Sequence, residues 1–279
     1  MDTTGLKSKS ALLLVPAALL FVVLYAYPVL ELLITSVYDN GFTVQHYKEF
    51  FGEPAYLKVL GRTARLAFSV TLITLTLGYP VAFVLATGRE KIATIVLIAI
   101  LLPFWISVLV RSYTWMMLLG WKGVLNNLLL GLGLHQERLP LLYNQFSVHV
   151  GMVYVLLPFM ILSIYASMKA FDPTLLRAAH SLGAGPVEAV ARVFIPMTLP
   201  GVAAGCLIVF LSALGFFTTP ALLGGARDIT VAMLVEKQIT GLPSWGPGAA
   251  IAAILLGLVL TVFLVCGRLL RRYQFTPGV

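Results

Sequence analysis

Asp172–Pro200 reads DPTLLRAAHSLGAGPVEAVARVFIPMTLP, a polar stretch with four prolines and two glycines between two long apolar runs. Asp172 is a good helix N-cap, because its side chain accepts a hydrogen bond from one of the first, otherwise unpaired, amides. Pro173 suits the first turn, where its missing N–H costs nothing. The spacing predicts a helix over Pro173–Leu182, closed by Gly183, which takes the left-handed C′ conformation without a Cβ penalty. On that helix Leu175, Leu176, Ala179 and Leu182 share one face, while Arg177 and His180 look elsewhere. A second start follows at Gly185-Pro186, with Glu188 in its first turn to complement the helix dipole. This second helix is expected to run toward Phe194 and end at Ile195-Pro196, before Pro200-Gly201 opens the next apolar run. Two short helices joined at a fixed corner make a stiff lever, and Ala178, Ala179 and Gly183 are small enough to allow close docking. The alternative is an ordinary amphipathic helix resting on lipid headgroups.

Everything around this loop reads as membrane. The 279-residue chain is 59% hydrophobic and only 11% charged, where a soluble domain carries about 25% charged residues. Crossing a bilayer takes about 20 apolar residues, and in lipid the backbone must satisfy its own hydrogen bonds, so the runs are helices. Six are expected, at about 11–37, 66–87, 92–119, 146–168, 200–223 and 249–267, in a single all-α membrane domain over 1–279 with the polar loop at 170–199. Lys7 and Lys9 before the first run suggest a signal peptide. The run continues past Pro28 and Glu31 without a clear cleavage site, so it reads as a retained span. The net charge of +8 does not imply nucleic acid, because the basic residues are scattered at the ends of apolar runs, as topology signals and lipid contacts are. An even number of spans puts both termini on one side. The tight Gly88–Lys91 turn and the Arg268, Arg271, Arg272 cluster place them in the cytoplasm.

The loop also resembles the signature of ABC importer permeases, EAA-x3-G-x9-I-x-L-P. The match is Arg177-Ala178-Ala179, Gly183 and Val193-Phe194-Ile195-Pro196, with Arg177 standing where the family usually has Glu. The stretches Pro103-Phe104-Trp105-Ile106-Ser107, Leu109–Trp115 and Leu214–Gly225 resemble the first permease subunit of spermidine/putrescine-type importers. The resemblance implies a type I importer permease fold with six transmembrane helices and a cytoplasmic coupling helix. It implies ATPase-coupling roles for Asp172, Pro173, Leu175, Leu176, Arg177, Ala178, Ala179, Leu182 and Gly183. It further implies a second homologous permease, two ATPase subunits that bind ATP and Mg, and an external (periplasmic) binding protein. The setting would be a bacterial inner membrane, and the cargo a small solute, polyamines first. A Glu at position 177 would pair with a basic residue on the ATPase. Arg177 requires either an acidic residue there or docking by apolar contact.

Other residues carry two readings each. Arg111 lies about 28 Å from Ile92 along a continuous helix at ~1.5 Å per residue. It either snorkels to the interface or pairs structurally, or it serves the pathway. Trp105, Tyr113 and Trp115 are interfacial belt residues, or an aromatic lining that holds ammonium groups. Phe216 and Phe217, ahead of Pro220, are packing residues or gate plugs. Glu31 forms an ion pair or attracts cations. Cys206 and Cys266 sit in apolar runs and read as small hydrophobes. His46, His135, His149 and His180 lack ligand spacing, so no metal is assigned. No G-x4-G-K-[ST] loop occurs in the chain, so any ATP is bound elsewhere. The rival function is a stand-alone secondary transporter, but such folds show repeated halves and intramembrane ion sites, and this sequence shows neither. An embedded enzyme would need a polar catalytic cluster in the spans.

Overall fold

The structure, a computed structural model, describes residues 15–16, 19–38, 41–241 and 245–274. Lys7, Lys9 and the start of the first expected span lie outside the described residues. The described residues form helices α1 Leu19–Thr35, α2 Gln45–Gly52, α3 Pro54–Thr87, α4 Glu90–Trp105, α5 Val108–Leu119, α6 Val124–Gly131, α7 Gln145–Lys169 and α8 Thr174–Ser181. Then come α9 Pro186–Leu214, α10 Thr218–Leu223, α11 Val231–Gly241 and α12 Gly246–Gln274. Among the described residues there is no strand, only an isolated bridge between Tyr38 and Phe42. Helices α3, α7, α9 and α12 are long and apolar enough to cross a membrane, α4 with Val108–Gly131 passes the same test only as a bent pair, and α1 is a shorter apolar helix. These segments correspond to the six runs expected from the sequence.

Proline placement explains the departures from that expectation. The third run is not one straight helix: Pro103 winds Leu102–Trp105 into a 3₁₀ turn, Ile106 is extended, and the two halves are bent by 103°. Ser107 caps the second half by accepting the Leu109 N–H at 3.3 Å. Arg111 therefore lies in the first turn of α5 and not far along one continuous helix. In the fifth run, the helix does not end at Ile195-Pro196. It runs unbroken for 29 residues from Pro186 to Leu214. Val190–Phe194 is wound as a π-helix, with the Ile195 N–H reaching back five residues to the Val190 carbonyl. Pro196 has no N–H to give and would crowd the carbonyl four residues back, and the extra residue in the turn makes room for it. The same device recurs in α1, where the Tyr27 N–H bonds Val22 O just before Pro28.

Backbone contacts gather into two units, 1–57 with 234–257, and 58–233 with 258–279. In the first, Ser36 Oγ and Tyr47 OH lie 2.7 Å apart. Phe50 is buried and stacks on Tyr56 at 5.4 Å, and the Tyr56 hydroxyl accepts from Gln238 Nε2 at 3.0 Å.

The second unit is built on α7. Its N-terminus carries a reciprocal cap: Asn144 Oδ1 accepts the Ser147 N–H and Ser147 Oγ accepts the Asn144 N–H. Met152, Leu156, Met160, Ile161 and Ile164 along it are fully buried. Helix α9 packs closely on it: a Cβ added at Gly201 would lie 2.4 Å from Ser167 Cβ, and one at Gly205 2.8 Å from Met160 Sδ. Helix α10 approaches the other end, where Ser147 Oγ donates to Leu223 O at 2.7 Å. Near the α8 end, the Phe194 ring meets Phe83 and Phe171 edge to face, at 5.6 and 5.1 Å.

Candidate functional site

Helix α8 is short, and its ends are held by local bonds. Asp172 Oδ1 accepts the Thr174 N–H at 2.9 Å. Hydrogen bonds from the Thr174 side chain and then its amide, with the Arg177 guanidinium adding its charge, hold the Asp172 carboxyl below its usual range. At the other end the Gly183 N–H bonds His180 O at 3.0 Å and the Ala184 N–H bonds Ala179 O at 3.0 Å. Gly183 has φ +91°. These two bonds and the left-handed residue form a Schellman motif, so the last carbonyls of α8 are satisfied.

Two residues later Gly185 leads Pro186 into the first turn of α9. There Glu188 and Arg192 pair at 3.0 Å, one helical turn apart. Pro173–Leu182 is therefore confirmed as a helical turn unit, with Thr174–Ser181 its regular part.

The four apolar residues assigned to one face separate into two groups. Leu176 and Ala179 are half-buried, while Leu175 and Leu182 are exposed, as are Arg177 and Ala178 beside them. Leu182 is 89% exposed, and Val187, across the Gly183 corner, is 82% exposed. Two apolar side chains thus stand uncovered at a rigid corner.

Of the residues expected along a pathway, Arg111, Tyr113 and Trp115 lie on α5, which meets α10 where Ser112 Oγ and Thr219 Oγ1 are 3.4 Å apart. Trp105, at the break of the third run, is 92% exposed. Tyr113 and Trp115 are two positions apart on α5 and so point to different sides. Trp115 packs edge to face on Tyr154 at 5.5 Å. Arg111 is half-buried, and its Nε is buried with no hydrogen-bond partner among the described residues. Phe216 and Phe217 occupy the non-helical link between α9 and α10, half-buried and exposed respectively. Glu31 is exposed. Cys206 and Cys266 are half-buried and line an apolar groove with Phe68, Leu72 and Phe210.

Sequence reading missed a basic cavity at the end of α7 opposite α8. Arg62, Arg65 and Ser69 of α3, Gln145 and His149 of α7, and Arg227 line about 240 Å³ of space. Beside it Tyr143 adopts φ +61°, uncommon for a non-glycine residue, and a Cβ at Gly225 would lie 2.3 Å from Tyr143 O. The sequence signal was the pair Arg62 and Arg65 just before the second apolar span.

Apolar helices of membrane-spanning length, with a capped polar helix in the loop between two of them, define a multi-pass membrane protein. Residues 75–274 match the family model of the binding-protein-dependent transport system inner membrane component, and the chain belongs to that family. It is 37% identical to the spermidine/putrescine transport system permease protein PotB of Escherichia coli (strain K12), over 83% of this chain and 85% of that one. It is 34% identical to the protein of the same name from Haemophilus influenzae, over 85% and 84%. Its fold is similar to a chain of the bacterial alginate ABC transporter in complex with alginate pentasaccharide-bound periplasmic protein, with TM-score 0.78, 18% identity and 96% coverage of each chain. A chain of the inward-facing MetNI methionine ABC transporter gives TM-score 0.58 at 16% identity, covering 78% of this chain and 95% of that one.

Proposed function

We propose that this chain is the membrane-spanning permease subunit of an ATP-driven importer for a small solute of the polyamine class. The class of solute is supported by relatives at 37% identity that are named as spermidine/putrescine permeases. The coupling role rests on the capped α8 with its uncovered Leu182–Val187 corner. In this reading the corner seats in a groove of an ATPase subunit, and Leu175, Ala178 and Leu182 supply the apolar contact. Asp172 and Gly183 keep the helix from fraying under load, while Arg177 supports the cap. Ala184-Gly185 is too short to absorb a displacement, so movement of α8 passes into α9. The long α9 then tilts against α7 along the Gly201 and Gly205 contact, which opens one end of the bundle and closes the other.

ATP and Mg belong to two ATPase chains, selectivity to an external binding protein, and the other half of the path to a second permease. Both termini lie in the cytoplasm. The test is uptake of labelled spermidine and putrescine into proteoliposomes holding the complex that copurifies with this chain. Uptake that requires ATP and a binding protein supports the reading. Uptake by this chain alone, driven by an ion gradient, overturns it.

A further inference from the structure

The basic cavity at the far end of α7 has a composition that the transport reading leaves unexplained. Three guanidinium-bearing residues, Arg62, Arg65 and Arg227, face one space with a single carboxylate, Asp228. That carboxylate is already engaged: Asp228 Oδ2 accepts the Gly225 N–H at 3.0 Å, and the Asp228 N–H bonds Gly225 O at 2.9 Å. These two bonds close a tight turn that presents Arg227. Arg62 Nη1 donates to the Arg227 carbonyl at 3.0 Å, which ties the turn to α3. The side chains of Arg65 and Arg227 make no hydrogen bond to another described residue.

The wall between the helices is fixed as well. His149 Nδ1 lies 2.6 Å from Gln145 O and Nε2 lies 2.7 Å from Ser69 Oγ. A carbonyl only accepts, so the proton is assigned to Nδ1, and the ring bridges α7 to α3. Arg62, Arg65 and Arg227 are all exposed to water, which screens their mutual repulsion, and an anion between them would remove what remains.

The geometry points to an oxyanion site in this cavity, one that takes a phosphate group on the guanidinium groups of Arg62, Arg65 and Arg227. Guanidinium forks match the paired oxygens of phosphate better than any other side chain. At about 240 Å³ the space equals roughly eight water molecules at ~30 Å³ each, enough for a phosphate with part of its hydration shell. Leu66 and Val148 in the lining open the apolar stretches of α3 and α7, so the site sits where hydrocarbon gives way to headgroups. The phosphate comes either from an anionic phospholipid at that depth or from free phosphate in the water. Once bound, it ties α3, α7 and the 225–228 turn together at the end opposite α8. The site stands on this cavity and not on the identity of the solute.

The test uses the full chain in nonionic detergent, with the subunits that accompany it, at ionic strength fixed with sodium chloride. Thermal unfolding is followed against inorganic phosphate, dioctanoyl phosphatidylglycerol, and dioctanoylglycerol as the lipid without phosphate. A midpoint raised by phosphatidylglycerol but not by dioctanoylglycerol or free phosphate supports the site with a lipid as its source. A rise with free phosphate as well supports it with a soluble source. In Arg65→Gln/Arg227→Gln, which breaks none of the hydrogen bonds above, the apparent affinity falls about tenfold or more. Should that double variant fail to fold, Arg65→Gln alone carries the same comparison. No rise with either phosphate compound, or the same rise in the variants, overturns the proposal.

Discussion

Gly183 decides whether α8 ends cleanly. A Cβ there would meet nothing within 4 Å, yet φ is +91°, so within this chain a substitution acts through the backbone, at about 1 kcal/mol. Gly183→Ala and Gly183→Asp are therefore both expected to loosen the last turn of α8, with normal membrane abundance, faster proteolysis near Leu182 and reduced uptake. Wild-type uptake in both variants would remove the corner from the mechanism. Asp172 gives a sign for pH. Its carboxyl is held below the usual range by Thr174 and then Arg177. Its stabilisation of α8 is therefore complete above the ordinary carboxylate value of about 3.9 and is lost only as pH falls through the lowered value. Proteolysis of the loop should be flat between about pH 5 and 8. It should rise in Asp172→Ala but much less in Asp172→Asn, which keeps the acceptor oxygen. A rise in the wild type within that range would show that another group controls the cap. Both end signals of α8 were legible in the sequence because caps are local.

At the scale of elements, the contact between α7 and α9 depends on small residues. Gly201 meets Ser167 Cβ and Ser163 O, at 2.4 and 2.8 Å from an added Cβ, and both belong to α7. Backbone cannot give way as a flexible side chain does, so Gly201→Leu overpacks the contact by about 1–3 kcal/mol or more. The expected result is a lower unfolding midpoint and less uptake, whereas Gly61→Ala, with nothing within 4 Å, leaves both nearly unchanged. Equal behaviour of the two variants would show that α9 does not press on α7 at Gly201. The apolar runs were legible because hydrocarbon demands length. The fate of each proline was not. Pro80 and Pro158 sit inside unbroken α3 and α7, Pro196 comes after a π-turn, and Pro103 breaks its run. These prolines differ in the residues downstream. After Pro103, Ser107 stands ready to cap a new helix. The basic cavity escaped for a similar reason: Arg62, Arg65, His149 and Arg227 come from three segments distant in sequence, and only the fold brings them together.

Across the whole chain, α7 sets which loops share a side. Its 25 residues span about 37 Å at ~1.5 Å per residue, enough to cross the hydrocarbon, so the Asn144 end and the α8 end must lie on opposite sides. Gly131, at the end of α6, precedes α7 by a connection with no intervening span, so it lies on the side of Asn144. Gly183 follows α7 by α8 alone and lies on the other side. The short Gly88–Lys91 turn carries Arg89 and Lys91 between α3 and α4, and basic flanks of this kind stay in the cytoplasm. With one crossing by the third run from that turn to the Gly131 side, the proposed orientation puts Gly131 outside and Gly183 in the cytoplasm. Gly131→Cys and Gly183→Cys, each in a background with Cys206 and Cys266 replaced, place this on trial. An impermeant thiol reagent should label Gly131→Cys in intact cells and Gly183→Cys only after permeabilisation. The reverse pattern would put α8 outside, away from any cytoplasmic ATPase, and the coupling role would fall with it. Labelling of both sites in intact cells would mean that α7 does not cross, and the bundle itself would need another reading.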